Sequence, residues 1–120
     1  MVEELNRTLC ENIVPDSLVN SAYRTDVCAV TIALGQGVLK RGTALAVNAD
    51  GKAVILGTEN STASYILCKD VDATSADITA LAYREGHFTK GKLIVKNEYS
   101  MTKEDIDNFR MRNIILSDEV

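Results

Sequence analysis

Short apolar runs punctuated by glycine dominate this chain from about residue 27 onward, and their pattern is that of strands. VCAVTIAL is apolar and rich in β-branched residues, and it stops at Gly35 and Gly37. GVLKRGTALAV follows, interrupted by Gly42; a glycine inside a strand pattern marks a bulge or a close approach of backbone. Asn48-Ala49-Asp50-Gly51 is a turn signal, because Asp50-Gly51 tolerates the positive φ angles of tight hairpins. KAVIL runs back as the partner strand, and GTENSTAS is a polar loop with nothing to bury. SYILCKDV reads as the next strand and DATSAD as a turn. ITALAY alternates, with Ile78, Ala80 and Ala82 on one face and Thr79, Leu81 and Tyr83 on the other. Gly86 breaks that strand pattern, and Lys90-Gly91 turns the chain into a further strand, KLIVK.

One helix is predicted in this region. Thr102 opens it, Asp105 at the third helical position completes the cap, and Met101 can staple onto Ile106. Ile106 and Phe109 form its inward side. Asn113 suits a left-handed position at its end, and IIL closes the fold as a last strand. The expected fold class is therefore mostly β (α+β): a small β-barrel-like domain of short strands with one short C-terminal helix and an N-terminal arm.

The arm differs in character. Residues 1–26 contain no glycine and hold the only proline, Pro15. Leu5, Leu9 and Ile13 recur at four-residue spacing, which suits a short amphipathic helix ending at Pro15. The alternative is an extended segment that orders only on a partner. Pro15 favours the second, since an isolated helix this short is marginal in water. The chain thus divides into an arm, 1–26, and a β-rich body, 27–120.

Composition narrows the function. At 120 residues, with 46% hydrophobic and 25% charged residues, the chain suits one globular domain. Aromatics make up only 5%, so Ala, Val, Ile and Leu must fill most of the core. A net charge of −4, with scattered positive residues, disfavours a nucleic-acid partner. No apolar run is long enough to span a membrane, and no signal-peptide pattern opens the chain, so a cytoplasmic setting is expected. Cys10, Cys28 and Cys68 are odd in number and lack metal-ligand spacing; they read as small hydrophobes in a reducing compartment.

No catalytic kit is legible. His87 is the only histidine. Glu85 and Thr89 share its strand face, but ordinary cross-strand polarity explains them as well as an acid–base set does. Glu104, Asp105 and Asp107 lie near a helix start, where acidic residues are expected. Neither GxxxxGK[ST] nor GxGxxG occurs. No metal and no cofactor are expected.

The order of RGTALAVNADGKAVIL, SYILCKDVDATSADITALAYREGHF, KLIV and a short polar helix ending in RNIILSD resembles the lambda-type head decoration proteins of tailed phages. Arg41-Gly42, Tyr65-Ile66-Leu67, Gly86-His87-Phe88 and Arg110 to Ile114 stand in the family's places, and LVNSAYRTDVCAVTIALGQGVLK looks like its entry segment. The resemblance covers about Leu18 to Asp118. It implies a non-enzymatic homotrimer that binds the major capsid protein on the outside of the expanded shell and stabilises it against DNA pressure. The expected location is the virion surface, after assembly in the host cytoplasm. Docking would fall to the arm, through Leu5, Leu9, Ile13, Val14, Pro15 and Leu18. Gly42, Asp50, Gly51 and Gly86 are expected as structural turn residues, and Thr102 and Asp105 as the helix cap. Two other classes compete: a small cytoplasmic hydrolase or lyase using His87, and a β-barrel adaptor domain unrelated to phage.

Overall fold

The computed structural model describes residues 18–20 and 25–117. Leu5, Leu9, Cys10, Ile13, Val14 and Pro15 lie outside the described residues. Among these described residues, eight strands and one α-helix follow in order: β1 (Asp26–Ile32), β2 (Gly37–Leu39), β3 (Ala44–Val47), β4 (Ala53–Ile55), β5 (Thr62–Leu67), β6 (Val71–Ala73), β7 (Ile78–Thr89), α1 (Lys103–Met111) and β8 (Ile114–Ser117). The main sheet runs β1-β4-β3-β5-β7-β8, and β1 also pairs with β7. The first five of these strands therefore close into a barrel, and β8 extends it along β7. β2 and β6 form a separate two-stranded ribbon.

Alternation along the strands sends side chains into two apolar clusters. One gathers Ala44, Ile66, Tyr83, Phe88, Phe109 and Ile114, and so joins the barrel to α1 and β8. The other gathers Ile32, Leu45, Leu67, Ala80 and Ala82 with Leu39 and Ala73 of the ribbon. Ala80 and Ala82 thus face one cluster, while Leu81 and Tyr83 face the other. Both faces of β7 are covered, which explains why its sequence is apolar on both.

The β3–β4 hairpin is organised by Asn48. Its side-chain oxygen accepts from the N–H groups of Asp50 and Lys52, each at 3.0 Å, and its carbonyl accepts from Gly51 N–H at 3.0 Å. Gly51 takes φ +78°, while Asp50 does not enter the left-handed region.

Four predicted elements differ. GTENSTAS is not all loop: β5 begins at Thr62, and Ala63 and Ser64 are fully buried. SYILCKDV is two strands, because Cys68–Asp70 breaks from β5 and the chain re-pairs with β2 as β6. Gly86 does not end β7: the strand runs through it for 12 residues. KLIVK is not a regular strand. Ile94 makes a single parallel bridge to Thr43, and Ala44 N–H donates to Ile94 C=O at 2.8 Å. Cys68 is fully buried, as a small hydrophobe should be, but it is disulfide-bonded rather than a reduced thiol.

Candidate docking lobe

The C-terminal half of β7 leaves the barrel wall and carries a partner on each side. On one side β8 pairs in parallel, with Gly86 opposite Ile114 and Thr89 opposite Ser117. On the other side Val19 bridges antiparallel to Phe88. Asn20 N–H donates to His87 C=O and Thr89 N–H donates to Leu18 C=O, both at 2.9 Å. Leu18–Asn20 are thereby fastened to this lobe.

Leu18 belongs to the body. It is 2% exposed and sits in the core cluster with Phe88. Leu18–Asn20 and Asp26, within the expected arm, are paired to β7. Gly42 makes room for this packing. At φ +93°, a Cβ there would lie 3.2 Å from Lys92 O and 3.7 Å from Leu18 Cδ1. Gly86 allows the lobe in the same way: at φ +153°, a Cβ would come 3.0 Å from Phe88 Cζ.

His87 is half-buried in the middle of this lobe, opposite Ile115 of β8, with its carbonyl committed to Asn20. Its backbone holds strands on both sides. Among the described residues, no group of three or more His, Cys, Asp or Glu side chains is placed to hold a metal ion.

Helix α1 packs the lobe onto the barrel through fully buried Phe109. Thr102 Oγ1 accepts from Asp105 N–H at 3.1 Å, and Asp105 Oδ2 accepts from Thr102 N–H at 3.0 Å, a reciprocal capping box. The same carboxylate accepts the Tyr99 hydroxyl, which holds the Tyr99 phenol above its usual pKa. Asn113 follows the helix at φ +67°, and its carbonyl accepts from Gly86 N–H at 3.0 Å. The end of α1 is thereby tied to the start of the lobe.

Two arginines anchor the body in ways the sequence pattern does not show. Arg41 Nη1 donates to Tyr83 Oη at 2.8 Å and to Cys68 O at 3.0 Å, pinning the end of β5 against β7. Arg84 binds Asp26 Oδ2 through Nε at 2.8 Å and Nη2 at 2.6 Å, across the β1–β7 pair. Among the described residues, no buried side-chain polar atom lacks a hydrogen-bond partner.

A closed barrel bearing a paired entry segment, a parallel edge strand and a capped helix is a body built to present surfaces. The family model for the bacteriophage lambda head decoration protein D matches residues 13–111, well over half the chain. The chain belongs to this family of phage head decoration proteins. Among curated proteins, none matches the chain significantly. Membership makes it a structural component of the phage capsid whose partner is the capsid itself, and the family is not an enzyme class. Among the described residues no helix is long and apolar enough to cross a membrane.

Proposed function

We propose that this decoration protein acts as a homotrimer on the outside of the expanded shell, where it clamps neighbouring capsid subunits against the pressure of packaged DNA. The observation that carries this reading is the family match over residues 13–111 on a body whose N-terminal segment is fastened by backbone pairing at one lobe. Residues 1–17 contribute the docking arm, with Leu5, Leu9, Ile13, Val14 and Pro15 as its contact residues. Assembly takes place in the host cytoplasm, without direct contact with nucleic acid.

A trimer supports this role physically. Three modest arm contacts become one strong attachment when geometry lets all three engage, because the second and third bind at high effective concentration. A segment that orders only on the shell spends part of its interaction energy on ordering, yet it can wrap across a subunit boundary.

Co-sedimentation of the purified protein with expanded and unexpanded shells of its phage tests the reading. Saturable binding to expanded shells alone is expected, with light scattering giving a trimeric mass in solution. Equal binding to both shells, or none to either, would contradict it.

A further inference from the structure

The barrel closes unevenly. β1 pairs with β7 along its whole length, from Asp26 to Ile32, but meets β4 at a single register position, Ile32 opposite Ala53. β4 starts at Ala53, so the earlier residues of β1 run past its end without a β4 partner. The gap is a groove of about 310 Å³, lined by Ala29 and Thr31 of β1, Val47 and Ala53 of the β3–β4 hairpin, Tyr65 of β5, and Arg112 just after α1.

Three features of this groove bear on binding. First, it exposes a strand edge. Ala33 N–H donates to Ala53 C=O at 2.9 Å, so the polar groups of Ala33 point away from β7. Strand alternation turns the N–H and C=O of Ala29 and the N–H of Thr31 the same way, into the groove. Second, the lining is otherwise small or apolar, apart from the Thr31 side chain and the Tyr65 ring. Third, it holds a cation. Arg112 Cζ lies 6.0 Å from the centre of the Tyr65 ring, and no ion pair with a carboxylate involves Arg112 among the described residues. A guanidinium with no carboxylate partner among the described residues thus sits beside an open strand edge.

We propose that this groove takes an extended, carboxylate-bearing segment of the capsid shell. The segment adds to the β1 edge by backbone hydrogen bonds at Ala29 and Thr31, and its Asp or Glu meets Arg112 over the Tyr65 face. Backbone pairing at an exposed edge gives affinity, and the side-chain site gives selectivity. An arginine already set over a ring is well placed for such a carboxylate. This inference rests on the decoration reading and adds to it.

The test uses full-length protein and expanded shells. Arg112→Glu reverses an exposed charge, and Ala29→Pro removes an edge N–H that β7 does not use. Each variant is first checked for wild-type melting. Each should weaken shell binding about tenfold or more, while Arg112→Lys, which keeps the charge but loses the planar fork over Tyr65, should weaken it less than Arg112→Glu. Backbone exchange at Ala29 and Thr31 should be fast in the free protein and slow on the shell. Wild-type binding by Arg112→Glu, with the parent protein bound normally, would overturn the groove and leave the decoration reading standing. Failure of the parent protein to bind would instead defeat the decoration reading, and the groove's capsid partner with it. Slow exchange in the free chain that becomes fast when residues 1–17 are deleted would show that the protein's own arm fills the groove, and would also overturn it.

Discussion

Thr89 N–H donates to Leu18 C=O at 2.9 Å, and the Leu18 side chain points into the core beside Phe88. The backbone and side chain of one residue thus fix where the body begins. Leu18→Ala should destabilise the fold by about 2–5 kcal/mol, as expected for an emptied leucine site. Chemical denaturation measures it. A loss below about 0.5 kcal/mol would mean that Leu18 is peripheral.

Gly57 offers a sharper contrast. It takes φ +113°, and an added Cβ would lie 2.8 Å from Tyr99 Cγ and 2.9 Å from Lys96 Cβ. The chain after β7 is pressed against the end of β4 here, with Lys96 N–H donating to Leu56 C=O at 3.0 Å. Gly57→Ala should cost about 1–3 kcal/mol, from strain and displaced packing together. Gly91 has nothing within 4 Å of the same position, so Gly91→Ala should fall within about 0.5 kcal/mol of the parent. Paired melting curves measure the two costs, and an equal, small loss at both sites would contradict the close approach at Gly57.

The helix cap can be tested alone. Thr102→Ala removes the acceptor for Asp105 N–H and should cost about 1 kcal/mol. Capsid affinity per folded molecule should not change. Unaltered stability would show that α1 does not depend on this start.

Asp77 links two surface loops. Its carboxylate accepts from Lys52 Nζ and from Leu34 N–H, each at 2.8 Å. The Lys52 hydrogen bond first, then the Leu34 N–H, holds the Asp77 pKa below its usual value. The Asp77 bond likewise raises Lys52. For Asp77, a depressed folded pKa means that its stabilisation is present above the unfolded value and is lost as pH falls through the folded one. For Lys52, a raised folded pKa means that stabilisation is present below the unfolded value and fades as pH rises through the folded one. Carbon-detected NMR should show Asp77 titrating below an ordinary aspartate and moving upward in Lys52→Ala. An unmoved midpoint would contradict the pairing.

Much of this was legible because the deciding physics is local. Asn48 to Gly51 makes its own turn, and Thr102 and Asp105 cap each other three residues apart. Non-local features were not legible. β6 leaves β5 because Val71–Ala73 pairs with Gly37–Leu39, over thirty residues earlier. Gly86 looks like a strand breaker, yet β7 continues through it because β8 pairs at that point. Leu18 carries no periodic signal that separates it from the apolar residues before it. Arg112 reads as one more charge near a helix end; only the run of β1 past the end of β4 places it in a groove.

The central claim is that a self-sufficient body carries a separate arm that docks on the expanded shell. Its most direct test is the occupancy of expanded shells by the full chain and by a chain lacking Met1 through Val14, with melting measured for both. The truncation leaves Leu18 in place. With both proteins melted under reducing conditions, because the truncation also removes Cys10 and Cys68 is disulfide-bonded, near-normal melting with severely reduced occupancy is predicted, since each lost arm contact counts three times in a trimer. Normal occupancy after truncation would contradict the claim, and loss of folding would show that the removed residues belong to the body.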